Sequence, residues 1–264
     1  MISVIQLGRV DYRTALKLQQ TLVELRKAGQ VGDTLLLLEH PPVITLGRNA
    51  RRANVLISGE EASRRGVEIF ECDRGGDVTY HGPGQLVGYP IFDLRGFTPH
   101  MGAVEFIRKL EEVLIRTCAD FGIATHRLPG MTGVWTLQNE AGGDFEAKIA
   151  AIGVHISRGV TSHGFALNIS TDLEHFKLIV PCGIGDKSVT SMERALAGAY
   201  PGIAVTPLTL DEVSQSVARN FGLVFNRQIL WVDTLDALLG RAVGVPMKPP
   251  PNLRKLHDDE TFWA

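Results

Sequence analysis

RGGDVTYHGPGQLVGYPI, residues 74–91, is the stretch on which the reading of this chain turns. It holds five glycines, two prolines, two tyrosines, one histidine and one arginine. That is too much glycine for an ordinary strand or helix. It reads as a loop whose backbone passes very close to a ligand while Arg74, Tyr80 and His81 are presented at one place. A plain surface loop is the alternative. The crowding of glycines with polar functional side chains favours a binding loop.

The flanks read as a sheet. Val67–Glu71 is a strand leading into the loop and Gln85–Leu94 a strand leading out. Upstream, residues 11–28 form a helix with Leu16, Leu22 and Leu25 among polar neighbours, ended by Ala28-Gly29. Thr34–Glu39 is a strand stopped by Pro41-Pro42, and Val43–Leu46 is another short apolar run. Downstream, residues 102–121 give the clearest amphipathic helix, with Val104, Ile107, Val113, Leu114, Cys118 and Phe121 at helical spacing. Val134–Leu137 is a strand and Gln138–Phe145 a polar, Gly-rich turn. Lys148–Ser157 (KIAAIGVHIS), a turn over Arg158–Gly164 (RGVTSHG) and Phe165–Ser170 (FALNIS) make a hairpin. A helix begins near Met192, capped from Ser188, Thr190 or Ser191, and residues 209–221 form another. Neither a GxGxxG turn nor a Walker loop is present, and no regular βαβ rhythm appears. The expectation is an α/β (α+β) fold in one domain over residues 1–245, with a Pro-rich, charged tail over 246–264.

Composition excludes several function classes. The 264 residues are 44% hydrophobic and 21% charged, enough for a normal core. A formal net charge of −2 argues against nucleic acid as the main partner. Arg48, Arg51, Arg52, Arg64 and Arg65 form a local basic group, suited to an acidic protein partner or merely solvated. No secretory signal and no membrane-spanning run is visible. Three widely spaced cysteines, Cys72, Cys118 and Cys182, suit a reducing cytoplasm, and no spacing suggests a zinc site. Cys118 reads as core and Cys72 as the end of a strand.

Two side chains stand out chemically. Cys182 sits in VPCGIG, residues 180–185, between a proline and a glycine. It is either a nucleophile, with backbone amides free to hold an oxyanion, or a small buried turn residue. Lys148 opens an apolar strand, and parity places it on the face of Ile152, Val154 and Ile156. Facing inward, its ammonium is desolvated and suited to carrying a proton. At a frayed strand end it lies in water, and a bulge can break the parity. His81, His155 and His163 are further candidates for acid/base or orienting roles.

Residues 74–91, KIAAIGVH at Lys148–His155, GFALN at Gly164–Asn168 and PCGI at Pro181–Ile184 occur in this order and at suitable spacing. Together they make the chain resemble the lipoyl(octanoyl) transferases over roughly residues 30–225. The resemblance implies a mixed sheet flanked by helices, as in biotin and lipoate protein ligases. It implies a cysteine acyl-thioester at Cys182, assisted by Lys148. It assigns substrate binding to Arg74, Gly75, Gly76, Asp77, Val78, Thr79, Tyr80 and His81, to Ala151, Ile152 and Gly153, and to Gly164, Phe165 and Ala166. The implied donor is octanoyl-acyl carrier protein. The implied acceptors are lipoyl domains of 2-oxoacid dehydrogenase complexes and the glycine cleavage H protein. No cofactor and no metal are required. An ATP-dependent lipoate or biotin ligase and a non-enzymatic acyl-binding protein on the same fold are the competing readings.

Overall fold

The computed structural model describes residues 1–140, 143–181, 188–199 and 206–239. The chain opens with strand β1 (Ile2–Arg9), helix α1 (Tyr12–Lys27), and strands β2 (Asp33–Glu39) and β3 (Val43–Leu46). A short helix α2 (Gly59–Arg64) and strands β4 (Glu68–Glu71), β5 (Val78–His81) and β6 (Gln85–Ile91) follow. Helix α3 (Ala103–Asp120) leads to β7 (His126–Leu128), β8 (Met131–Glu140), β9 (Gly143–Ser157) and β10 (Val160–Asn168). After β11 (Ser188–Val189) come α4 (Met192–Ala199), α5 (Leu210–Phe225), β12 (Ile229–Trp231) and α6 (Leu235–Leu238).

The main sheet runs β12-β1-β2-β6-β10-β9-β8-β7, with β11 pairing β9 where β10 stops. β12, β1 and β2 are parallel, and from β2 through β6 to β7 each pair is antiparallel. A small sheet, β4-β3-β5, packs separately. The strand Leu35–Leu38 shows why the main sheet is buried on both sides. Leu35 and Leu37 join the core under α3 and α5, while Leu36 and Leu38 join the core under α1. Alternation puts neighbours on opposite faces, and each buried leucine contributes roughly 1.5–3 kcal/mol. No helix among the described residues is long and apolar enough to cross a membrane.

Local signals set most boundaries. Asp11 accepts from the Thr14 amide at 2.9 Å and starts α1. Thr209 and Glu212 form a capping box at the start of α5. Ser191 Oγ accepts from the Arg194 amide at 3.3 Å, whereas Ser188 lies in β11 rather than in a cap. Three expectations change. The glycine-rich stretch is not all loop, because Val78–His81 pairs with β3. The turn expected over Arg158–Gly164 contracts to Arg158 and Gly159, whose φ values of 51° and 84° match the two-residue hairpin that continues strand twist. Most of the expected turn over Gln138–Phe145 is strand, with Asn139 opposite Asp144. In α3 the buried stripe is Phe106, Leu110, Val113, Leu114 and Cys118, and Val104 is 72% exposed. The tail after residue 239 and Cys182 lie outside the described residues.

Candidate active site

The α1 face of the main sheet and the small sheet enclose a narrow slot. Its walls come from β6 (Val87, Tyr89), β9 (Ala151, Ile152, Gly153), β10 (His163 to Ala166), the 74–77 turn, β5 and Tyr12. Twelve of the fourteen expected binding residues border it. Val78 and Tyr80 do not. Alternation along β5 turns Thr79 and His81 to the slot and sends Val78 and Tyr80 into a separate core, where Tyr80 stacks on His175 with centroids 4.9 Å apart.

Glycines in this site serve backbone packing. A Cβ on Gly153 falls 2.7 Å from Gly75 O, and one on Gly47 falls 2.5 Å from Gly76 O. Gly75 N donates to Val154 O at 3.0 Å. The turn is thus sewn to β9 on one side and to the end of β3 on the other, with Asn49 N donating to Gly76 O at 3.1 Å. Gly76 has φ 88°, a region that side chains resist. Gly47 was missed in the sequence because it stands alone, 27 positions before the dense stretch begins.

Arg74 is buried and acts as a strut. Its Nη2 donates to Thr45 O at 2.6 Å and to Thr45 Oγ1 at 2.9 Å, and Nη1 donates to Gly75 O at 3.0 Å. The Thr45 hydroxyl also meets His81 Nε2 at 3.3 Å, and His81 Nδ1 donates to Gln85 Oε1 at 2.7 Å. Burial, with His40 and Arg74 nearby, holds the His81 imidazole well below its usual pKa, so it is neutral. His40, pushed down to about 4 by burial, donates from Nδ1 to Val10 O and accepts from the Tyr89 hydroxyl at 2.8 Å. His155 stands at the rim between Arg48 and Asp73. His163 borders the slot and donates from Nε2 to Asp73 at 2.8 Å.

Lys148 is 8% exposed, with Nζ 4.7 Å from the centre of the Trp135 ring. Its face differs from the parity expectation. Val134 pairs with Ala150 but Trp135 with Lys148, so Ile149 is the extra residue of a bulge. Ile149 and Ala150 both enter the α3/α5 core, and Lys148 turns to the other side. There it borders a second pocket of about 500 Å³ with Asn54, Arg51 and Thr132. Gly76, Asp77 and Ile152 line both pocket and slot, so Lys148 stands beside the slot's mouth. The chain on either side of the undescribed 182–187 is anchored here too. Val180 N donates to Asn54 O at 2.8 Å, and Thr190 N donates to Lys148 O at 2.9 Å. Among the described residues no group of three or more His, Cys, Asp or Glu is placed to hold a metal. Cys118 is fully buried and its thiol is pushed up to about 12 by burial, as suits a core residue.

The arrangement is a narrow slot that opens beside a buried lysine. Known proteins resemble the chain in sequence and in fold. The lipoyl protein ligase A/B catalytic domain matches residues 11–222. An octanoyltransferase of Koribacter versatilis is 59% identical over 98% of both chains, and one of Acidobacterium capsulatum is 58% identical over 90% of this chain and 96% of its own. Among solved structures, a lipoate protein ligase of T. acidophilum with bound lipoic acid has a TM-score of 0.66 at 16% identity, covering 100% and 99% of the chains. Lipoate-protein ligase A bound with ATP has a TM-score of 0.64 at 16% identity, covering 92% and 94%. With the family domain spanning 212 positions and relatives this similar along its whole length, the chain belongs to the lipoyl protein ligase A/B catalytic-domain family.

Proposed function

We propose that this chain is an octanoyltransferase of lipoate biosynthesis that carries the acyl group on Cys182 and moves protons through Lys148. The observation that carries the reading is the 59% identity to an octanoyltransferase across 98% of both chains. The donor is octanoyl-acyl carrier protein. The acceptors are lysines on lipoyl domains, those of 2-oxoacid dehydrogenase complexes and of the glycine cleavage H protein. The reaction takes place in the cytoplasm, in a single catalytic domain over residues 1–245 that leaves 246–264 as a tail.

In the first half-reaction Lys148 takes the Cys182 proton, and the thiolate attacks the thioester carbonyl. The bond from that carbonyl to the pantetheine sulfur breaks, and the leaving thiolate recovers a proton from Lys148. In the second, the acceptor amine attacks the octanoyl-cysteine, the C–S bond to Cys182 breaks and an amide forms. Lys148 then relays the amine's proton to the cysteine. Thioester exchange is nearly isoenergetic and amide formation from a thioester is downhill, so no nucleotide is consumed. Support for the pairing comes from the anchors at Val180 and Thr190, which tie both flanks of the Cys182 segment to the pocket that Lys148 borders. Support for acyl binding comes from the slot itself, which Val87, Ala151, Gly153 and Ala166 border from the α1 face of the sheet.

Transfer between purified donor and a lipoyl domain tests the reading. Cys182→Ser abolishes transfer, because a hydroxyl is not deprotonated as a thiol is. Cys72→Ala and Cys118→Ala retain it. Donor alone leaves an octanoyl group on the Cys182 peptide by mass spectrometry, and ATP with magnesium changes nothing. Near-normal transfer by Cys182→Ser removes the cysteine mechanism, and a strict nucleotide requirement moves the chain to the ligases.

A further inference from the structure

A line of buried hydrogen bonds runs from the wall of the slot to Lys148. Arg74 Nη2 donates to Thr45 Oγ1 at 2.9 Å, and that hydroxyl meets His81 Nε2 at 3.3 Å. His81 Nδ1 meets Gln85 Oε1 at 2.7 Å, Gln85 Nε2 donates to Asn168 Oδ1 at 2.8 Å, and Asn168 Nδ2 donates to Thr190 O at 2.9 Å. Thr190 N in turn donates to Lys148 O at 2.9 Å. Every residue from Arg74 to Lys148 on this line is 8% exposed or less. Gln85 and Asn168 pair across the β6–β10 ladder, and they line neither the slot nor the pocket beside Lys148.

Two backbone carbonyls fix the direction of the line. Gln85 Nε2 also donates to Tyr80 O at 3.1 Å, and a carbonyl only accepts, so the amide nitrogen and oxygen cannot trade places. The Thr190 carbonyl fixes the Asn168 amide in the same way. Gln85 Oε1 is then left to accept, which puts the His81 proton on Nδ1 and leaves Nε2 to accept from the Thr45 hydroxyl. Each donor thus points from Arg74 toward Thr190. The line also crosses between sheets: Thr45 and His81 belong to the small sheet, Gln85, Asn168 and Lys148 to the main one. Apolar side chains would fill the same space at less cost, whereas a satisfied polar line admits a single arrangement of its members.

We infer that Gln85 and Asn168 are positioning residues for acyl transfer. They tie the Thr190–Lys148 edge of the main sheet to the Arg74–His81 wall of the slot, so that the acyl carbonyl and the ammonium meet in one geometry. The inference rests on the acyl-transfer reading above. Neither side chain touches the acyl chain, because neither lines the slot. Losing one frees the edge beside Lys148 while the walls that bind the donor stay. A reacting group displaced by about 1 Å costs on the order of a hundredfold in rate, so the loss appears in kcat rather than in KM.

The experiment compares Asn168→Ala with Asn220→Ala in octanoyl transfer to a lipoyl domain, in melting and in amide exchange at Thr190. Asn220 is the control: it is 2% exposed and hydrogen-bonded to Thr117, Asp120 and Ser216 between α3 and α5. Both variants lose a buried amide and melt lower. Only Asn168→Ala lowers kcat, by about tenfold or more, with the donor KM within about threefold of wild type. Only there does the Thr190 amide exchange about fivefold faster or more, the equivalent of one lost hydrogen bond. Gln85→Met, which keeps the side chain's volume, shows the same kcat loss should Asn168→Ala not fold. A kcat within about twofold of wild type, a loss equalled by Asn220→Ala, or a raised KM at unchanged kcat overturns the positioning role while leaving acyl transfer intact. A wild type that transfers no octanoyl group overturns the underlying reading and the inference with it.

Discussion

Gly153→Ala is the sharpest test of how the slot is built. The added Cβ would lie 2.7 Å from Gly75 O, where ordinary contact begins at 3.4 Å, so something must retreat by about 0.7 Å. Gly153 pairs with Gly164, and it cannot yield without breaking its ladder with β10. The 74–76 turn must move instead. Its bond from Gly75 N to Val154 O, now 3.0 Å, then stretches past hydrogen-bonding distance. Overpacking costs roughly 1–3 kcal/mol and the lost bond about 1 kcal/mol more. For a protein of this size, that lowers the melting midpoint by roughly 5–15 °C. The moved turn carries Gly76 and Asp77, which line the mouth, so kcat/KM for the octanoyl donor falls about tenfold or more. Gly32→Ala is the control: no atom lies within 4 Å of its added Cβ, and the change is neutral or slightly stabilising. Calorimetry and transfer kinetics on both variants decide it. A Gly153→Ala enzyme with the melting midpoint and kinetics of Gly32→Ala would refute the claim that these glycines exist for backbone approach.

Lys148→Ala slows alkylation of Cys182 near neutral pH and moves its pH midpoint up by about 1–3 units, since a removed cation no longer favours the thiolate; Lys148→Arg does not restore transfer, because guanidinium holds its proton. An alkylation profile identical in wild type and Lys148→Ala would sink the dyad. Asp73 is held down to about 2, chiefly by its hydrogen bond from His163. A lowered carboxylate stabilises the fold above its unfolded value near 4, and that contribution disappears as pH falls from about 4 to 2. Because Asp73 is half exposed, the contribution is below about 1 kcal/mol. Melting of wild type and Asp73→Asn therefore differs slightly at pH 5 and converges at pH 2; a gap that widens on acidification contradicts this.

The sequence made the glycine stretch, the hairpin after Lys148 and the long helices legible because each carries a strong local signal. What it hid follows from physics that is not local. β7, β11 and β12 have two or three residues each and exist only because a neighbouring strand supplies their partners. Reading residues 74–81 as one loop concealed the period of two in β5, and with it the departure of Val78 and Tyr80 from the slot. Val87 and Tyr89 were within reach of parity reasoning, since Val87 pairs with Ala166 across the ladder. Tyr12 was not, because only the packing of α1 brings it to the slot. Cys118 needed nothing beyond helical spacing and lies in the core as expected.

The bulge at Ile149 answers a conflict written into the strand. KIAAIGV must bury Ile149 and Ala150 beneath α3 and α5, and it must also put an ammonium beside a mouth on the opposite face. Strict alternation cannot do both, for it would send Lys148 into the same apolar core as Ala150 and Ile152. Burying that charge unpaired would cost several kcal/mol. One unpaired residue resets the parity, so Ile149 and Ala150 both face the helices while Lys148 lies over Trp135. The strand also changes neighbours here. β10 stops pairing at Ala150, and β11 takes up Ala147 and Lys148. The place where the lysine is re-aimed is therefore the place where the chain returns from residues 182–187, and a single irregularity in β9 sets both.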